Sequence, residues 1–296
     1  MSHKVLFLPV LALCAAMAMM SCAKGKPAGQ TGGSIPANPG KAKADFGMAV
    51  AEGTPAESVQ NGTPVMPGTE YTAGAEGTAR VYIFTRITTE ATNTIYHRFS
   101  RLIPTLTGNG IWQEVSTVEL QIKSTNAKTW TYVDASAGSW RADVLAPDKK
   151  TVMQGYIFNV KGTSAEKVNP LIGKTNKAKV TLTDAKLCES VDKGKPVNDA
   201  LAFSLNGESM RVYFWGSFTC DTPPAAVALR WSRLATSVDG THDYVIHHYS
   251  DVAVKGKVWP TYYWINVSEG QWKVDVLGTD GVSVMRSFDF TVSKVQ

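Results

Sequence analysis

Residues 242–251 read HDYVIHHYSD and hold three of the chain's five histidines with two aspartates. Imidazole beside carboxylate suits zinc or a similar ion, so His242, His248 and Asp251 are the candidate ligands of a metal-dependent hydrolase. On an extended strand His242 and His248 share parity with Tyr244 and Ile246, whereas His247 and Asp251 face the other way. The ligands therefore divide between two faces, and their spacing matches no metal motif. That favours a plain exposed strand over a metal site.

A second stretch, WPTYYW at 259–264, is dense in rings. Proline is excluded from central strands, so Pro260 places this stretch at a sheet edge or in a loop. Trp259, Tyr262, Tyr263 and Trp264 are then candidates to stack on sugar rings or to face a protein partner; the competing expectation is a loop that caps the core. Arg230 and Arg233, like Arg98 and Arg101, could hold carboxylates or acidic sugars. Their plainer role is in cross-strand pairs. His97 alternates with Ile95 and Phe99, which points it inward as a hydrogen-bonded core histidine. The chain carries no serine elbow, HExxH, phosphate-cradling glycine loop or CxxC, and a lone aspartate in each half (Asp143, Asp275) is not the carboxylate pair of a glycosidase. No cofactor is expected, and no catalytic residue is assigned.

The elements that would position these residues come from an internal repeat. GSWRADVLAPD at 138–148 is answered by GQWKVDVLGTD at 270–280. SVQNGTPV (58–65) is answered by SVDKGKPV (190–197), RVYIF (80–84) by RVYFW (211–215), and HRFSRL (97–102) by LRWSRL (229–234). LQIK (120–123) matches VAVK (252–255), Trp130 is paired with Trp259, and the offset stays near 132 residues. Order and spacing kept over so many blocks mean a tandem duplication. Copy one is expected over 46–160, a polar linker over 161–177 and copy two over 178–296. Trp272, Val274 and Val276 alternate with Lys273, Asp275 and Leu277, the period of a strand with one buried face. Asp280-Gly281 then makes the turn. The fold class is all-β: two tandem antiparallel β-sandwiches of immunoglobulin-like type, with six to eight strands per copy and no amphipathic helix.

VYIFTRI, HRFSRL and the G-x-W-x-x-D-V phrase, with CESVDKGKPV opening copy two, resemble the bacterial domain-of-unknown-function family numbered 2914. The resemblance spans most of 46–296, twice. Copy two departs from copy one in placing Leu229 at the position of His97. It implies this fold and an envelope setting, and no activity.

The first residues place the chain. Residues 1–21 have a weakly basic start and a short apolar run, an export signal too short to span a membrane. MMSC at 19–22 resembles the lipobox of bacterial lipoproteins, with Met19 standing in place of the usual leucine. Cys22 is the expected lipidation site, and Ala23 rather than Asp following it implies, by resemblance to the sorting rule of enteric bacteria, the outer membrane, periplasmic or surface-facing. Residues 22–45, rich in Gly, Pro and Lys, form the expected flexible tether. Residues 1–45 carry net +4 of the chain's +5, so the folded body is nearly neutral. It has no basic stripe for nucleic acid. Cys188 and Cys220 occur together in copy two, where copy one has Ala56 and Thr88 or Thr89; in an exported protein this points to a disulfide. The composite expectation is a non-catalytic, membrane-anchored envelope lipoprotein that contacts a protein or serves envelope assembly. The alternatives are a cell-wall or polysaccharide-binding module and the metal-dependent hydrolase.

Overall fold

A computed structural model describes residues 46–162, 169–171 and 177–295. The expected signal, Cys22 and the tether lie outside the described residues, as do 163–168 and 172–176 of the expected linker. The first half contains β1 (Met48–Gln60), β2 (Thr63–Pro67), β3 (Glu70–Thr72), β4 (Thr78–Thr89), β5 (Asn93–Ile103), β6 (Ile111–Ile122), β7 (Asn126–Ser136), β8 (Gly138–Leu145) and β9 (Val152–Lys161). The second half contains β10 (Val180–Asp192), β11 (Lys195–Asp199), β12 (Ala202–Leu205), β13 (Met210–Cys220), β14 (Ala225–Thr236), β15 (His242–Val254), β16 (Val258–Val267), β17 (Gly270–Leu277) and β18 (Val284–Lys294). No described residue is helical.

Four sheets result, in the orders β2-β1-β4-β7 and β3-β9-β8-β5-β6, then β11-β10-β13-β16 and β12-β18-β17-β14-β15. The second pair of orders is the first advanced by nine strands, so the duplication extends to topology. The expected all-β pair of sandwiches is present. It is not wholly antiparallel: the short β3 and β12 join β9 and β18 in parallel.

Local chemistry explains the shared ends. Asn61-Gly62 and Lys193-Gly194 join the first two strands of each copy with positive φ at both central residues. That is the type I′ geometry whose twist matches a hairpin. The repeated phrase is also accounted for. The indole of Trp140 is buried against Phe158, and that of Trp272 against Phe290, while Nε1 donates to the carbonyl of Ser136 at 2.8 Å and of Ser268 at 2.9 Å. Burying one such side chain stabilises by about 1.5–3 kcal/mol. Gly138 and Gly270 have φ of 131° and 139° and lie under the guanidinium groups of Arg101 and Arg233.

In copy two one apolar cluster joins both sheets, from Leu187 and Phe214 to Trp231, Trp272 and Phe290. Copy one has two clusters instead. The fully buried His97 belongs to neither; its Nε2 lies 3.2 Å from Thr85 Oγ1 and its Nδ1 2.9 Å from Thr131 Oγ1. Burial pushes its pKa down to about 3. The ladders place Leu229, Gly216 and Tyr263 at these three positions in copy two. One interior satisfies a polar trio and the other replaces all three members together.

The two sandwiches meet through equivalent hairpins. Leu106 N donates to Tyr244 O at 3.0 Å, and Val238 N donates to Trp112 O at 2.9 Å. Leu106 and Val238 stand 132 residues apart, as do Trp112 and Tyr244, so each bond is the repeat-related image of the other. Trp112 N also donates to Ser237 Oγ at 3.1 Å, Thr105 bridges Val245, and Thr107 pairs with Asp243. The junction is isologous, as in a twofold dimer, but within one chain.

Candidate functional site: an aromatic sheet face and a lateral cleft

Strand β16 is the edge of the four-stranded sheet of copy two, which is where Pro260 is tolerated. Alternation then divides WPTYYW. Trp259 and Tyr263 turn inward and pack on the core, while Tyr262 and Trp264 turn outward, 51% and 39% exposed. The row of four exposed rings is therefore two. They are completed by residues of β13 that the sequence reading left aside. Tyr213 is the ladder partner of Trp264, and Trp215 of Tyr262. Tyr213 lies 6.4 Å from both Tyr262 and Trp264, ring to ring. The Arg211 guanidinium sits 4.2 Å above Trp264, and Trp215 Nε1 donates to Gly194 O at 2.7 Å. The signal for Arg211, Tyr213 and Trp215 was present in RVYFW, where every second residue shares a face.

Copy one carries a related face. Tyr82 and Tyr132 lie 5.4 Å apart, and Arg80 covers Tyr132 at 4.3 Å. Trp130 and Tyr132 are 41% and 48% exposed. The ladders make Trp130 equivalent to Tyr262, correcting the sequence match to Trp259. Arg80 also pairs with Asp134 at 2.8 Å. Asn266 occupies the Asp134 position in copy two, so that face lacks this carboxylate.

Beside the copy-two face, β15 and β16 leave a cleft of about 440 Å³ lined by His247, His248, Tyr263, Trp264, Ile265 and Asn266. His248 stacks on Tyr263 at 6.2 Å, and its Nε2 lies 3.5 Å from the phenol oxygen. His247 meets Trp272 edge-on at 5.0 Å.

The expected metal set does not assemble. A bulge shifts the ladder so that His248 pairs with Trp231 and Ile246 with Ser232, leaving His247 as the extra residue. His248 thus joins the inward face, while Asp251, opposite Ala228, and His242, opposite Thr236, lie on the outward one. His242 Nδ1 is 2.9 Å from Thr236 Oγ1. Among the described residues no group of three or more His, Cys, Asp or Glu could hold a metal ion.

The disulfide is corrected as well. Cys188 and Cys220 are both free and buried. Cys220 pairs with Val180 at one end of β10, and Cys188 lies eight residues further along that strand. At about 3.3 Å per residue this is far beyond disulfide reach. Burial raises the Cys188 thiol pKa.

The arginines act structurally. Arg230 grips Asp275 with Nε at 3.1 Å and Nη2 at 2.8 Å. Arg98 and Arg141 both hold Asp143 at 2.7 Å, and both aspartates are buried. Arg233 Nη2 donates to Glu269 O at 2.7 Å, as Arg101 does to Ala137 O at 2.8 Å.

No protein-family profile and no curated protein sequence matches the chain. Solved structures match at low scores. Escherichia coli alpha-2-macroglobulin is 8% identical, over 83% of this chain and 16% of that one, with a TM-score of 0.23. Salmonella alpha-2-macroglobulin is 9% identical over 85% and 17%, at 0.25, and red sea bream transglutaminase is 10% identical over 77% and 30%, at 0.22. The chain spans less than a third of each of these proteins, and TM-scores of this size carry no argument.

Proposed function

We propose that the chain is a non-catalytic, membrane-anchored envelope module that holds an extended glycan on the outer face of copy two. The anchor is Cys22, and the setting is the outer membrane of a bacterium. The observation that supports this reading is the group Tyr213, Trp215, Tyr262 and Trp264 on the outer face of the sheet, capped by Arg211. Rings offer flat apolar surface, and Tyr and Trp also carry a polar tip. An open face accepts a chain that passes across it, whereas a small molecule is usually held in an enclosing pocket. The test is co-sedimentation of residues 46–296 with peptidoglycan and with insoluble polysaccharides. The protein should pellet, and a Tyr262→Ala, Trp264→Ala variant should stay in solution. A protein that stays in solution with every polymer ends this reading.

A second reading, contact with an envelope protein, is favoured by copy one. Trp130 and Tyr132 on β7 are exposed, with Arg80 beside Tyr132, and Met66 on β2 is a separate exposed apolar residue at the other edge of this sheet. Aromatic residues with arginine are the composition of interface hot spots.

A further inference from the structure

In copy two a piece of the linker closes the outer face of the five-stranded sheet. Leu171 is buried against Ala228 and Leu277, with Tyr249 packed beside it. Asn169 clips the segment in place: its Nδ2 donates to Gly281 O at 2.6 Å, and its Oδ1 accepts from Leu171 N at 3.0 Å. The ladders make Tyr96, Leu145 and Thr117 the copy-one equivalents of Ala228, Leu277 and Tyr249. Lys149 repeats the positive φ of Gly281 at the same turn. At this place copy one has an open cleft of about 420 Å³, lined by these four residues and by Glu114 and Glu119 among others.

The sequence contains a matching plug. Asn169-Pro170-Leu171 begins eleven residues before the start of β10 at Val180. Asn38-Pro39-Gly40 begins ten residues before the start of β1 at Met48. We propose that the copy-one cleft is the docking site of the chain's own Asn38–Gly40 segment, seated as Asn169–Leu171 is seated in copy two. Sizes are exchanged across the contact. Large Leu171 meets small Ala228, and Pro39 with Gly40 meets the Tyr96 ring. Charge in the cleft is balanced, Glu114 and Glu119 against Arg98 and Lys149, and Lys149 Nζ lies 4.7 Å from the Tyr96 ring, so the match rests on the shared Asn-Pro, its spacing from the first strand and the open place in copy one. A tethered segment binds at high effective concentration, so weak contacts suffice.

The test is limited trypsin digestion of the full mature chain, with Lys24 as the reference site, since Lys26 precedes Pro27 and is not cut. Cleavage after Lys41 and Lys43 should be at least tenfold slower than after Lys24. An Asn38→Gly, Pro39→Gly variant, which leaves the sandwich untouched, should bring these three sites to equal rates. A Tyr96→Ala variant should do the same with the segment intact. Equal rates in the unaltered chain overturn the proposal. So does protection that survives both variants, because it would then come from mere closeness to β1.

Discussion

Gly270 leaves room for Arg233 and for nothing more: a Cβ at Gly270 would come within 3.0 Å of Arg233 Nε. With φ of 139° the position also belongs to glycine by conformation. A Gly270→Ala change should therefore destabilise copy two by about 1–3 kcal/mol. Gly138→Ala, under Arg101, should cost a similar amount in copy one. Urea unfolding of each variant gives the number. A change below 0.5 kcal/mol, the range of ordinary surface substitutions, would remove the clip from the account of the repeated phrase.

His97 makes copy one sensitive to acid. Its pKa is pushed down to about 3 in the folded chain, against an ordinary value of 6.5. The unfolded chain therefore binds the proton first as pH falls, and stability declines from about pH 6.5 toward pH 3. The slope contributed by this one group is about 1.4 kcal/mol per pH unit. In His97→Leu that contribution should vanish, at the cost of leaving Thr85 and Thr131 without their partner. Unfolding of both proteins between pH 7 and pH 4 compares the slopes; equal slopes would mean that His97 is not the titrating group.

Asp143 is buried between Arg98 and Arg141. Removing one member of such a group strands the others, so Asp143→Ala should cost about 3–5 kcal/mol. The loss should depend little on salt, since buried pairs are weakly screened. By contrast, disrupting the exposed pair of Arg80 and Asp134 with Asp134→Ala should cost under about 1 kcal/mol. Equal costs for the two would contradict the burial.

The alternation of β16 separates stability from binding. Trp259→Ala and Tyr263→Ala should lower the melting temperature, because those rings pack on the core. Tyr262→Ala and Trp264→Ala should leave it nearly unchanged. Four variants and one thermal scan decide the matter.

Cys188 and Cys220 should behave as separate thiols. In residues 46–296, alkylation under non-reducing, denaturing conditions should label two cysteines per chain, and a reductant should not shift the melting temperature. An unlabelled protein would mean that the strands can bring the two sulfurs together.

What the sequence made legible was whatever depends on type and alternation. GQWKVDVL reads as a strand because Trp272, Val274 and Val276 share a buried face, and the repeat announced two domains before any contact was known. The bulge at His247 was not legible. An extra residue in a ladder changes which face follows it without changing composition, so His242 and His248 were placed together and the structure sets them apart. Pairing Trp130 with Trp259 failed for a related reason: cross-strand register, not shared identity, decides equivalence. Joint presence of Cys188 and Cys220 likewise says nothing of position along β10. RVYFW places Arg211, Tyr213 and Trp215 on one face, but only the ladder to Tyr262 and Trp264 shows that this face joins the exposed rings of β16.

The reciprocal bonds between Leu106 and Tyr244 and between Val238 and Trp112 also fix how the molecule answers a pull. On the proposed reading, a chain anchored at one end and holding a polymer at the other would be under tension whenever the two surfaces drift apart. Two equivalent bonds related by a twofold axis share a load and fail together, instead of parting one after the other. The pair of sandwiches is therefore expected to act as a single stiff link up to a threshold force.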